Sequence, residues 1–170
     1  MVTFVLPGGS IYNKKWTEDT AREIKLDHEV RPVFWNHWDD PSKTFDPKEK
    51  VRLIIDVARQ NQINIIAKSI GTLVASYIIE QVPNNVQKVI FCGLPINDIS
   101  ESDKEVYVQA LKKFPVDHVL CFQNTNDPHG TIDQIKDFLF KINPKIKIIE
   151  KDRNNHEYPY FDEFRGFLVT

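Results

Sequence analysis

Ile63-Asn64-Ile65-Ile66-Ala67-Lys68-Ser69-Ile70-Gly71 is a β-rich apolar run that breaks at a serine and resumes as an apolar helical stretch. The order predicts a strand, a sharp turn with Ser69 at its apex, and a helix. Such a turn lifts the hydroxyl clear of a sheet and beside backbone N–H groups that can hold a developing oxyanion. The local pattern is G-x-S-x-G with Ala67 in place of the first glycine. Taken singly, small-x-Ser-x-Gly is common, and a serine there also reads as a helix cap. Its place between strand and helix, with Asp127 and His156 following in order, gives the motif its weight.

Outward from this turn, short apolar runs recur, each followed by a segment of helical period. The expected strands are Val2–Leu6, Val30–Trp35, Ile63–Ala67, Gln87–Cys92, Asp117–Phe122 and Ile146–Glu150. Most are near-continuous apolar runs, as strands covered on both faces require. Helix starts are signalled by Asp46-Pro47-Lys48-Glu49, Ser102-Asp103-Lys104-Glu105 and Thr131-Ile132-Asp133-Gln134, each with capping-box spacing. A last helix is expected from Pro159. Strands alternating with helices mean a three-layer α/β/α sandwich around a mostly parallel sheet. Ligands bind such sheets beyond the carboxyl ends of the strands, and the residues singled out for chemistry follow strands.

The chain has 170 residues, the length of one domain spanning 1–170. Its 22 basic and 24 acidic residues nearly balance, so neither nucleic acid nor an anionic membrane is favoured as a partner. No apolar run approaches the roughly 20 residues that span a bilayer. No apolar leader precedes Met1–Leu6, which reads directly as a core strand, so the expected compartment is cytoplasmic. Cys92 and Cys121 fall near strand ends and are read as small core residues, not a disulfide or metal pair. No metal-ligand spacing is present.

A serine hydroxyl needs a base within hydrogen-bond reach, and the base needs an orienting carboxylate. Five histidines compete. His28 and His118 lie at the wrong ends of their strands, while His37 sits in a loop that could line a pocket. His129, two residues past Asp127, reads as a loop residue. His156, in the loop between the last strand and the last helix, is the best placed. The acid is expected from Asn124-Thr125-Asn126-Asp127-Pro128-His129-Gly130 after the fifth strand, as Asp127, with Asp98 after the fourth strand as the fallback. Lys68 reads as a solvated or structural residue. Trp16, Trp35 and Trp38 could wall a pocket or belong to the core.

On Ala67-Lys68-Ser69-Ile70-Gly71, Asp127 and His156, in that order, the chain resembles a small member of the α/β-hydrolase family. The resemblance implies a six-stranded sheet of order 2-1-3-4-5-6, lacking two of the family's edge strands and any large cap domain. Pro7-Gly8-Gly9-Ser10 corresponds to the family's His-Gly-x segment, with proline in place of histidine. By that match the oxyanion donors are the N–H groups of Gly9 (or Ser10) and Ile70; Ser10, His37 and Trp38 are candidates for lining a pocket beside them. The activity implied is that of a serine hydrolase with Ser69, His156 and Asp127 as its triad, without metal or organic cofactor. Its partner would be a small-molecule acyl substrate, a carboxylic ester first, with thioester or peptide hydrolysis using the same apparatus. A binding protein that keeps the fold without turnover is the alternative.

Overall fold

A computed structural model of the chain describes residues 1–170. Six strands, β1 (Val2–Leu6), β2 (Glu29–Pro32), β3 (Ile63–Lys68), β4 (Val86–Cys92), β5 (Val119–Asn124) and β6 (Lys147–Lys151), form one sheet. Between and after them run α1 (Asn13–Glu23), α2 (Val51–Ala58), α3 (Ile70–Gln81), α4 (Glu101–Lys113), α5 (Ile132–Ile142) and α6 (Phe161–Val169). The strand order is β2-β1-β3-β4-β5-β6, and every neighbouring pair is parallel. The order reverses direction at β1, so the loops leaving β1 and β3 diverge to opposite sides and open a crevice between them. Pro7–Ser10 and Ser69 stand at that crevice.

The sequence pattern explains the layers. Alternate residues of a strand face opposite sides. Phe4, Leu6, Ile65, Ala67 and Phe91 join the larger apolar cluster with α2, α3, α4 and α5. Val5, Ile66, Ile90 and Phe122 join a smaller cluster with Trp16 and Ile24 at α1 and Phe164 and Leu168 of α6. β1 and β3 are buried at every residue, which is why they read as near-continuous apolar runs, interrupted only by the buried Thr3, Asn64 and Lys68.

Several boundaries differ from those expected. The second strand ends at Pro32 and not at Trp35. It is an edge strand, its register with β1 stops at Val5–Pro32, and a 3-10 turn at Asn36–Trp38 follows. The fifth strand starts at Val119, because Val116–His118 after Pro115 forms a 3-10 turn. α4 is capped by Ser100 with Asp103, two residues earlier than the expected box. Asp46 does not cap α2: its Oδ1 accepts the Lys48 N–H at 2.8 Å, while Glu49 accepts the Asn36 N–H, and the helix begins at Val51. The Thr131–Gln134 box caps α5 as expected. The last helix starts at Phe161, two residues after Pro159. No helix is long and apolar enough to cross a membrane. Cys92 and Cys121 are buried free thiols.

Candidate active site

β3 runs into α3 with only Ser69 between them, and no extended or helical backbone makes that turn. Ser69 takes φ 54° and ψ −129°, one of two non-glycine residues with positive φ in the chain. This is sparsely populated backbone that costs on the order of 1–3 kcal/mol and persists where surrounding structure imposes it. Here the Ser69 N–H donates to the Cys92 carbonyl at 2.9 Å, and the Ser69 carbonyl accepts from both the N–H and the hydroxyl of Thr72. Gly71 permits the turn: a Cβ there would stand 2.4 Å from the Leu6 carbonyl oxygen and 2.7 Å from that of Pro7. The Ser69 side chain does not cap α3, so its hydroxyl is not consumed by the helix.

Asp127 and His156 meet, although 29 residues separate them. The His156 Nδ1–H donates to Asp127 Oδ2 at 2.7 Å. The same oxygen accepts the Tyr158 hydroxyl at 2.5 Å, and Oδ1 accepts the His129 backbone N–H at 2.8 Å. Burial pushes this carboxyl upward, but the hydrogen bonds from His156 and Tyr158 outweigh it and hold Asp127 below its ordinary value. Tyr158 is driven far upward by its own burial and by Asp127, and so stays a proton donor. His156 Nε2 is buried and carries no hydrogen bond, so the bond from Ser69 Oγ to this nitrogen is open in this conformation. Ser69 and His156 are held by consecutive residues, Cys92 and Gly93. Gly93 follows the Cys92 carbonyl that holds Ser69, and a Cβ on Gly93 would fall 2.7 Å from His156 Cε1.

Other residues of interest divide between the site and the scaffold. Asp98 does not reach His156; it pairs with His129 Nδ1, and the His129 ring packs 4.4 Å from that of His156. Gly9 lies beside Ile70, and His37 and Trp38 both bond the Gly9 carbonyl instead of simply walling a pocket. Ser10 is exposed at the rim. Trp35 is fully buried, and Trp16 belongs to the opposite layer, where its N–H donates to the Tyr158 carbonyl. His28 bonds Thr3 at the far edge, and His118 precedes β5. Lys68 is not solvated: it is buried, donates to Asn13 Oδ1 at 2.9 Å, and is pushed below its ordinary value by that burial against the pull of Glu157. No cluster of three or more His, Cys, Asp or Glu side chains is arranged to hold a metal ion.

Three contributors escape a reading of the sequence. Asn124, the last residue of β5, donates its side-chain N–H groups to the carbonyls of Asn155 and Glu157, on either side of His156. Tyr158 and Gly93 complete the mounting of the imidazole. Asn124 looks like the start of a turn, and Tyr158 like a pre-helical loop residue. Only Gly93, immediately after a buried strand, carries a local signal, as a glycine where the chain must leave the sheet.

No family model matches the chain, and no curated protein matches it in sequence. Solved structures match it over nearly its whole length. A serine hydrolase without a lid from Xanthomonas campestris superposes with a TM-score of 0.70 at 14% identity, over 98% of this chain and 78% of that one. The protein has the α/β-hydrolase fold. Two further α/β-hydrolase-fold structures agree. A deformylase acting on N-formylmaleamic acid from Pseudomonas putida S16 gives a TM-score of 0.69 at 10% identity, over 99% and 91% of the two chains. The thioesterase domain of the curacin biosynthetic pathway gives 0.69 at 10% identity, over 99% and 90%. At such identities the likeness is one of fold.

Proposed function

We propose that the protein is a serine hydrolase that works by acyl transfer on small carboxylic esters. The observation that carries the reading is Ser69, held in costly left-handed backbone at a strand-to-helix apex and bonded through its N–H to Cys92, next to the Gly93 against which an imidazole already bonded to a buried carboxylate packs. Ser69 Oγ attacks the ester carbonyl while His156 Nε2 takes its proton. Asp127 fixes the imidazole through Nδ1–H and stabilises the cation that forms. The oxyanion is met by the N–H of Ile70 and by the loop of Gly9 and Ser10. Collapse expels the alcohol, protonated by His156, and water then attacks the acyl-serine by the same route in reverse. Free sites of this chemistry often hold the serine–histidine bond long and close it on the substrate. A lidless fold neighbour and an exposed Ser10 support an open site that takes small acyl groups. A thioester is the second reading, favoured by thioesterases among the fold neighbours.

A fluorophosphonate probe tests the proposal directly. The wild type is expected to label and Ser69→Ala to remain unlabelled. Against a panel of p-nitrophenyl esters and acyl thioesters, His156→Ala should lose activity by about 10⁴-fold or more with its circular dichroism unchanged. A folded wild type that neither labels nor turns over any of these would end the reading in favour of a binding protein.

A further inference from the structure

The carbonyl of Gly9 receives an unusual amount of attention for a group on an exposed-facing loop. Trp38 Nε1–H donates to it at 2.8 Å, and His37 Nε2 lies 2.8 Å from it. A carbonyl only accepts, so His37 must carry its proton on Nε2. Its other nitrogen, Nδ1, is buried without a partner, so the ring's one hydrogen bond goes to Gly9. One residue upstream, the Gly8 carbonyl accepts from Trp35 Nε1 at 3.0 Å. Phe45 packs edge-on against both Trp35 and His37, bracing the rings that make these bonds.

A trans peptide projects its N–H opposite its C=O. Holding the carbonyls of Gly8 and Gly9 therefore sets the directions of the Gly9 and Ser10 N–H groups. Neither donates to any group of the protein, and the Ile70 N–H at the start of α3 is free as well. The loop and the start of α3 touch, since a Cβ on Gly9 would lie 3.7 Å from the side-chain Cγ2 of Ile70. We propose that His37 and Trp38 are positioning residues, which pull back the Gly9 carbonyl so that the loop's N–H groups stand ready beside that of Ile70 to receive the oxyanion. This deepens the hydrolase reading above and rests on it. Donors aimed in advance accelerate the reaction because they need no reorganisation when the charge develops.

The test is the double variant His37→Phe/Trp38→Phe, which keeps aromatic bulk and removes both N–H donors, assayed on p-nitrophenyl butyrate and with a fluorophosphonate. Removing an oxyanion donor outright costs about 100-fold or more in kcat, so misaiming one is expected to lower kcat roughly tenfold or more. KM and the urea midpoint should stay near wild type, with labelling slowed in step. His37→Gln, whose amide can still donate, should retain most of the rate in the presence of Trp38. Unchanged kcat in the double variant of an active, labelled wild type would overturn the positioning role alone. A fall carried wholly by KM or by unfolding, or one that His37→Gln reproduces in full, would overturn it too. A wild type without labelling or turnover would remove the hydrolase reading and this inference with it.

Discussion

Gly93 shows how a single missing methyl can decide a site. Its φ is +61°, and a Cβ would fall 2.6 Å from Tyr158 Cε2 and 2.7 Å from His156 Cε1, closer than packed atoms approach. In Gly93→Ala the two rings must shift, and misplacing a reacting group by about 1 Å costs on the order of 100-fold in rate. For the proposed ester hydrolysis we expect a loss of that size, with circular dichroism retained. Tyr158 tests the neighbouring contact. Its hydroxyl donates to Asp127 and accepts the Asn124 N–H, so Tyr158→Phe strands the buried Asn124 N–H, takes one of three donors from Asp127, and should destabilise the protein by about 1–3 kcal/mol. The pH dependence has a defined sign. Asp127 titrates below its ordinary 3.8 in the folded protein, so its contribution is present above that value and lost as pH falls through the folded one. Losing one donor raises the folded value, so the variant's deficit should be greatest near neutrality and narrow below roughly pH 4 in urea titrations.

At the scale of elements, the site depends on how the ends of strands are tied together. Lys68 closes β3 beneath the serine, bonding Asn13 at the start of α1 and lying 3.8 Å from Glu157 in the loop that carries His156. Asn13 in turn donates to the Ser10 carbonyl, so one buried ammonium links the loops on both sides of Ser69. Lys68→Met keeps the stem and removes the charge. Apolar replacement of a buried charge is often neutral or better for stability, and the largely exposed Glu157 can be solvated by water. The urea midpoint should therefore stay or rise while kcat for the proposed hydrolysis falls; a large drop in stability with full turnover would contradict this role. A reading as either a solvated or a structural residue could not decide for Lys68, because its partners are far away along the chain. Gly71 was more legible: packing of a helix close against a strand behind the turn requires a glycine, and the carbonyls of Leu6 and Pro7 leave room for nothing else.

Across the whole molecule, the sheet could be read from sequence because β1 and β3 are buried on both faces and are therefore mostly apolar, with only Thr3, Asn64 and Lys68 breaking the runs. The edges were harder. β2 buries little and gives way after Pro32, so the apolar Val33-Phe34-Trp35 looked like more strand when it was core and loop. The pairing of Asp127 with His156 has the order expected from the chain, whereas Asp98 pairs with His129, a contact across 31 residues with no local signal. Asn124 and Tyr158 hold the imidazole loop through bonds of the same long range, invisible to any periodicity. The backbone at Ser69 has a further consequence for durability. Glycine adopts φ 54° without penalty, so Ser69→Gly would release strain of about 1–3 kcal/mol against roughly 0.4–1 kcal/mol of added freedom in the unfolded chain. A net gain of about 1 kcal/mol, the middle of that difference, would raise the melting temperature of the variant by about 2–4 °C in calorimetry: heat tolerance and a presented hydroxyl compete for the same bond rotation.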